Sequence, residues 1–286
     1  MASLRERHEL SASVPLTLRR HGGISSGGNL ALMRVLHRTI SGSELPIAVR
    51  TAGVGAGDPN GTPVMLVHGM GGDHATWHGF AKTLRAAGRP VISFDLRGHG
   101  RSGHPETYAL DSFADDLAFV LDELGVARAD VVGHSLGAHT ALRFAMAQPE
   151  RVGSLVLEEV PPMPRDQADL DEDITADSSF GERLRGLGAV VSNPLPLLRF
   201  DRRVGAQVGD QFKQADPAWW DRLADVTART LVISGGPSSF LPSHHLSALS
   251  DMLPDSRFAT IAAGHSVHRD KPREFNALAA DFLTSR

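Results

Sequence analysis

The 286-residue chain contains no cysteine. That excludes disulfides, thiolate metal sites and a cysteine nucleophile, and it fits a reducing cytoplasm. Charge of one sign is scarce too: 29 Lys and Arg against 33 Asp and Glu leave a net charge of −4. Such a balance gives no electrostatic reason to expect nucleic acid or an anionic membrane as a partner. No run approaches the roughly 18 apolar residues that a membrane span needs. Residues 1–20 mix charged and apolar side chains without the continuous apolar stretch of a secretory signal, and Arg19-Arg20 is followed by His21-Gly22-Gly23, so it is discounted as a twin-arginine signal. Together these absences predict a cytoplasmic protein. No zinc-ligand spacing, phosphate loop or dinucleotide fingerprint occurs, so neither a metal nor a cofactor is implied. The oligomeric state is left open, a homo-oligomer included.

What is present is a 41% hydrophobic, 22% charged chain, the composition of a globular protein with a sizeable core. Residues 30–40 and 45–52 read as a hairpin turning at Ser41-Gly42-Ser43. Short apolar strands then alternate with helical patterns: strands near 64–67, 91–94, 130–132 and 154–157, and helices near 74–87, 111–124 and 136–147, with Asp111 expected as an N-cap. The alternation breaks after the sixth strand. A proline cluster at Pro161, Pro162 and Pro164 leads into an acidic run from Asp166 to Asp177, read as a solvated face, and then into helical stretches near 180–191 and 216–224. Strand and helix resume at 230–234, 244–252, 257–261 and 271–283. The expected organisation is an extension over 1–29, a core over 30–160 and 226–286, and an insert over 161–225. The core should be a mostly parallel twisted sheet with helices on both faces.

One stretch organises the chain. Val131-Val132-Gly133-His134-Ser135-Leu136-Gly137-Ala138 is an apolar run ending in Gly-x-Ser-x-Gly and opening into a helix. A strand-to-helix turn this tight leaves no room for side chains at the flanking glycines, and it lifts the serine hydroxyl clear of the sheet. Ser135 is therefore the candidate nucleophile. A serine hydroxyl needs a base in hydrogen-bond reach. Among 14 histidines, His265 follows the last strand on a Gly-containing loop, at the sheet edge where the elbow lies, with His268 three residues on as the alternative. His134 lies inside the elbow and points away from the chemistry.

Four ordered motifs resemble those of the α/β-hydrolase fold: His68-Gly69-Met70-Gly71-Gly72, Asp95-Leu96-Arg97-Gly98-His99-Gly100-Arg101-Ser102, the Ser135 elbow, and Gly264-His265. The resemblance covers nearly everything beyond residue 30. It implies that the insert is a helical cap over the active site, that His68 and His99 are structural, and that the backbone N–H groups of Met70 and Leu136 form an oxyanion hole. One departure stands out. The family's commonest pattern has an aspartate after the seventh strand, and here Ser238 occupies that slot. Several haloalkane dehalogenases in the family are similar in carrying the acid after the sixth strand, in register with Glu159. Glu159 is therefore the expected orienting acid, with Glu158 in reserve, because strand alternation lets only one of them face the histidine unless the strand has ended.

A serine rather than an aspartate at the elbow disfavours an alkyl-enzyme mechanism and points to acyl transfer. The expected activity is hydrolysis of a small or medium, largely apolar carboxylic ester, lactone or thioester. Trp77, Phe180, Leu184, Trp219 and Trp220 are candidates to line the substrate pocket. Two alternatives stay open: hydrolysis of a C–C or amide bond, and a ligand-binding protein that keeps the fold with little or no catalysis, motivated by the empty acid slot.

Overall fold

The structure, a computed structural model, describes residues 31–54, 61–172 and 195–285. Its frame is an eight-stranded sheet: β1 (Leu32–Ile40), β2 (Ser43–Ala52), β3 (Val64–Val67), β4 (Val91–Phe94), β5 (Ala129–His134), β6 (Val152–Glu158), β7 (Arg229–Ser234) and β8 (Ser256–Thr260). The order across the sheet is β1-β2-β4-β3-β5-β6-β7-β8. β1 and β2 form the expected antiparallel hairpin, and its two-residue turn takes φ of 48° at Ser41 and 83° at Gly42, the sign that matches the twist of the strands. β2 runs antiparallel to β4, and every later pairing is parallel.

Strand alternation divides the core. Met65 and Val67 face one apolar cluster, with α2 (Leu110–Glu123), α3 (Leu136–Ala147) and Leu246 and Leu249 of the helix Ser243–Met252. Val64 and Leu66 face the other, with α1 (His78–Ala86) and the closing helix Pro272–Thr284. Helices thus cover both faces. α3 is buried from Leu136 to Met146, as a helix that is apolar nearly all round must be. Among the described residues no helix is long and apolar enough to cross a membrane.

Between β6 and β7 the chain leaves the sheet. Its described part holds helices at Gln167–Asp171, Leu195–Leu198, Arg202–Phe212 and Pro217–Asp221, the last passing into a 3-10 turn at Arg222–Asp225. The helix expected near 180–191 lies outside the described residues. The helix Arg202–Phe212 has no counterpart in the sequence reading, because its apolar stripe is just Val204, Val208 and Phe212, one residue per turn amid polar residues and glycine. Asp201 caps it by accepting from Arg203 N at 3.0 Å.

This segment also corrects the expectation for α2. The helix begins at Leu110 and Asp111 does not cap it; its carboxylate instead binds Arg143 Nη1 at 2.6 Å. The first amide is satisfied from outside, Leu110 N donating to Gln211 Oε1 at 2.9 Å, and just ahead of the helix Tyr108 N donates to Gln207 Oε1 at 2.8 Å. Orphan N–H groups at a helix start need acceptors, and here the insert provides them. Gly98, at φ 75°, lets Val204 and Tyr108 approach so closely that a Cβ would sit 2.5 Å from Val204.

Three buried histidines work only as neutral rings. His68 donates from Nδ1 to Gly69 O at 2.8 Å and accepts from Leu96 N at Nε2, joining the loops after β3 and β4. His139 donates to Pro161 O, accepts from Arg143 Nε and stacks on Trp219. His99 donates to Arg97 O and packs on His68 and Phe200. Burial lowers the pKa of all three, to about 3 for His99 and for His139, where the Arg143 charge adds to it. The unfolded chain takes up these protons below pH 6.5 and the folded one does not. The stability from His99 and His139 is therefore complete above that value and falls with acid, by on the order of 1.4 kcal/mol per pH unit for each of these two rings. The urea midpoint should hold steady above pH 7 and drop steeply between pH 6.5 and pH 5; a flat midpoint across that range would refute the assignment.

Candidate active site

Parallel strands deliver their loops to one edge of the sheet, and three of those loops meet at Ser135. The elbow is as tight as the sequence demands. A Cβ on Gly133 would lie 2.4 Å from Gly137 O, and one on Gly137 would lie 2.3 Å from Val67 O. Ser135 itself takes φ 51° and ψ −120°, a conformation that costs a non-glycine residue about 1–3 kcal/mol. Two bonds hold it there: Ser135 N donates to Glu158 O at 2.9 Å, and His139 N donates to Ser135 O at 3.0 Å.

Ser135 Oγ lies 2.9 Å from His265 Nε2, and His265 Nδ1 lies 3.0 Å from Glu159 Oε2. With Nδ1–H donating to the carboxylate, Nε2 is left to accept the serine proton. Glu159 is wholly buried. Its other bonds come from Gly235 N to Oε1 and from Ser239 Oγ to Oε2. Ser238, which fills the usual acid slot, closes a 3-10 turn at Gly236–Ser238, and its neighbour Ser239 binds the carboxylate that arrives from β6. Gly235 makes this possible by size: a Cβ there would lie 2.0 Å from Gly264 O. Its carbonyl accepts from Ala263 N and Gly264 N, each at 3.0 Å, fastening the β7 loop to the histidine loop.

The two glutamates part because β6 ends between them. Glu158 is the last strand residue and Glu159 turns to φ 51°. Glu158 projects to the opposite side and builds a second chain. His268 donates to it from Nδ1, 2.7 Å from Oε2, and from its backbone N, 2.9 Å from Oε1. Thr76 Oγ1 lies 2.9 Å from His268 Nε2, and Trp77 stacks on the ring at 4.2 Å. Burial would raise the Glu158 pKa, but its electrostatic interaction with His268 and the two bonds it accepts from that residue bring it below the usual carboxylate value. His268 is thus engaged away from Ser135. His134 is enclosed by this network and donates from Nε2 to His265 O at 2.7 Å, holding the backbone of the residue whose ring meets Ser135. Burial, with the neighbouring His265 and His268, lowers its pKa to about 3, so it stays neutral.

The remaining sequence candidates divide. Met70 occupies a turn closed by Gly72 N donating to Gly69 O at 3.1 Å, with Gly71 at φ 74°. Leu136 opens α3, so its amide is one of those without an intrahelical acceptor. Trp77 is 1% exposed, in the core beneath His268 and against Phe275. Trp219 and Trp220 are also buried. Trp219 stacks on His139, and Trp220 Nε1 donates to Met163 O at 2.7 Å, so both fasten the insert to the core. Phe180 and Leu184 lie outside the described residues. Sequence reasoning passed over Ser239 and Gly235, whose only signal was the Gly235-Gly236 pair after β7.

Breaking the buried Glu158–His268 pair from one side leaves an unsatisfied ring, at a cost of about 3–5 kcal/mol. Urea unfolding of Glu158→Leu should show a loss of that order. Glu159→Gln keeps an oxygen for Gly235 N and should lose less; equal stability of Glu158→Leu and wild type would overturn this account.

The family profile for the α/β-hydrolase fold matches residues 62–187. A 2-hydroxy-6-oxo-6-phenylhexa-2,4-dienoate hydrolase of Comamonas testosteroni is 30% identical over 266 residues, 79% of this chain and 89% of that protein. The sn-1-specific diacylglycerol lipase ABHD11 of Mus musculus is 26% identical over 263 residues, 79% of this chain and 82% of its own. Among solved structures, Est816, described as an N-acyl homoserine lactone degrading enzyme, is similar with a TM-score of 0.66 at 28% identity, over 86% of this chain and 100% of that one. With a family match of this kind and a hydrolase relative 30% identical over most of both chains, the chain belongs to the α/β-hydrolase fold superfamily.

Proposed function

We propose that the protein is a serine hydrolase that cleaves small or medium, largely apolar carboxylic esters, lactones included, through an acyl-enzyme on Ser135. The observation that carries this reading is the unbroken chain from Ser135 Oγ through His265 to the buried Glu159 carboxylate. In the first step Ser135 Oγ attacks the carbonyl carbon while its proton passes to His265 Nε2. Glu159 holds Nδ1–H and stabilises the imidazolium. The carbonyl oxygen, now an oxyanion, is received by the amides of Met70 and Leu136. His265 then gives its proton to the departing alkoxide, and the acyl-enzyme remains. Water, deprotonated by His265, attacks the acyl carbon, and Ser135 recovers its proton as the carboxylic acid leaves.

The preference for apolar substrates rests on the insert, read here as a cap. Leu197 reaches to 3.7 Å from where a Cβ on Gly71 would stand, and Gly205 lies close to Met70 Sδ. Asp201 N donates to Gly98 O at 2.8 Å. Met70 and Leu197 carry exposed apolar side chains, and Leu197 lies beside the turn that holds Met70. A C–C bond hydrolase is the second reading, favoured by the dienoate hydrolase relative. The complete triad geometry speaks against a non-catalytic ligand binder.

Intact-mass labelling with a fluorophosphonate at pH 7.5 tests the nucleophile. One equivalent should add to Ser135 in the wild type and none in Ser135→Ala. In Glu159→Gln an amide NH2 would face His265 Nδ1 and favour the wrong tautomer, so kcat on p-nitrophenyl esters and lactones should fall by roughly 10³–10⁴. Near wild-type turnover in Glu159→Gln would remove the acid assignment. Turnover of a 6-oxo-dienoate without turnover of any ester would select the C–C reading.

A further inference from the structure

On the far side of the Glu159 loop, three side chains that the catalytic reading does not use converge. Glu172 stands at the C-terminal end of the helix Gln167–Asp171, in the insert, while His244 and His245 open the helix Ser243–Met252 that follows β7. Their ligating atoms all lie within 4.8 Å of one another. His245 Nε2 is 2.9 Å from Glu172 Oε2, and His244 Nε2 is 3.3 Å from the same carboxylate. Two ligands of one first-row cation, each held at 2.0–2.1 Å, are separated by about 2.9 Å at a right angle and about 3.3 Å at the tetrahedral angle.

A plain ion pair explains the contact poorly. His245 is 2% exposed, and its buried Nε2 makes no hydrogen bond among the described residues, although the carboxylate oxygen is in range. His244 Nε2, by contrast, is in hydrogen-bond contact with the same Glu172 Oε2 at 3.3 Å, so the carboxylate already faces both rings. The two rings pack together, with centroids 4.2 Å apart, so both present their Nε2 atoms to Glu172. Nearby Asp169 is already engaged by Arg165, through Nε at 2.8 Å, so it is not counted among the ligands.

We propose that Glu172, His244 and His245 bind one divalent first-row cation, zinc by ligand type, with water or another exogenous ligand completing the coordination. Two imidazoles and one carboxylate form a borderline donor set that suits zinc better than calcium or magnesium, which take mainly oxygen ligands. The site clips the start of the insert to the core. It also does so a few residues from Ser239, which binds Glu159, and from Phe240, whose ring lies 4.2 Å from that of His265. Glu172 is 72 residues from His244 in sequence, so no local spacing motif announces the site.

The test is titration of the chelator-treated full-length protein with ZnCl2, followed by calorimetry and by thermal unfolding. Wild type should bind one equivalent and unfold at a higher temperature when loaded. His244→Ala and Glu172→Gln change exposed side chains, so the fold is not at risk, and each should weaken binding at least tenfold and lose the thermal gain. His265→Ala should bind zinc as wild type does, which separates this site from the Ser135 centre. Absence of a stoichiometric equivalent, leaving an ordinary His–Glu ion pair, would overturn the proposal. So would equal affinity in His244→Ala, Glu172→Gln and wild type.

Discussion

The end of β6 is the constraint on which the site depends. Two adjacent, fully buried glutamates serve different loops there, and they can do so only because the strand stops between them. The Glu158 carbonyl accepts from Ser135 N and its carboxylate gathers the backbone and ring of His268. Glu159, turned to φ 51°, donates its amide to Ile233 O and sends its carboxylate to Gly235, Ser239 and His265. One dipeptide therefore sets the elbow, the histidine loop and the β7 loop relative to one another. Each carboxylate is desolvated, and each is repaid by hydrogen bonds from N–H or O–H groups that have little else to bind.

Histidine has two kinds of work in this molecule, and burial separates them. His68, His99, His134 and His139 are held neutral by desolvation, so each can donate from one ring nitrogen and, in His68 and His139, accept at the other. They act as rigid polar struts inside the sheet edge. His265 keeps an 18% exposed side chain, with its Nε2 on Ser135 Oγ. His134 links the two groups by binding the carbonyl of His265. His134 and His265 thus form one mechanical unit.

The insert is fastened chiefly by polar and aromatic contacts. Gln211 caps the start of α2, Gln207 binds Tyr108 N just ahead of it, Tyr108 OH donates to Asp201, and Trp219 stacks on His139. This explains why the two tryptophans misled as pocket candidates: large aromatic groups in a short helix bury against the core before any ligand is met. The same logic removes Trp77, which the fold spends on the His268 side of β6.

Much of this was written in local sequence. Gly133 and Gly137 leave no room for a Cβ at the turn around Ser135, and the short apolar strands alternate with helices at spacings that admit little but a parallel sheet, so the fold and the elbow could be read directly. Glu159 and His265 were legible as a pair only through the ordering of motifs along the chain. What sequence could not supply was any contact between distant segments on the polar side of the fold. Helix Arg202–Phe212 has too small an apolar stripe to declare itself, and its glutamines find their partners 99 and 101 residues away. Which glutamate faces His265 was likewise a tertiary decision, because it turns on one left-handed residue whose strain only the surrounding loops can hold.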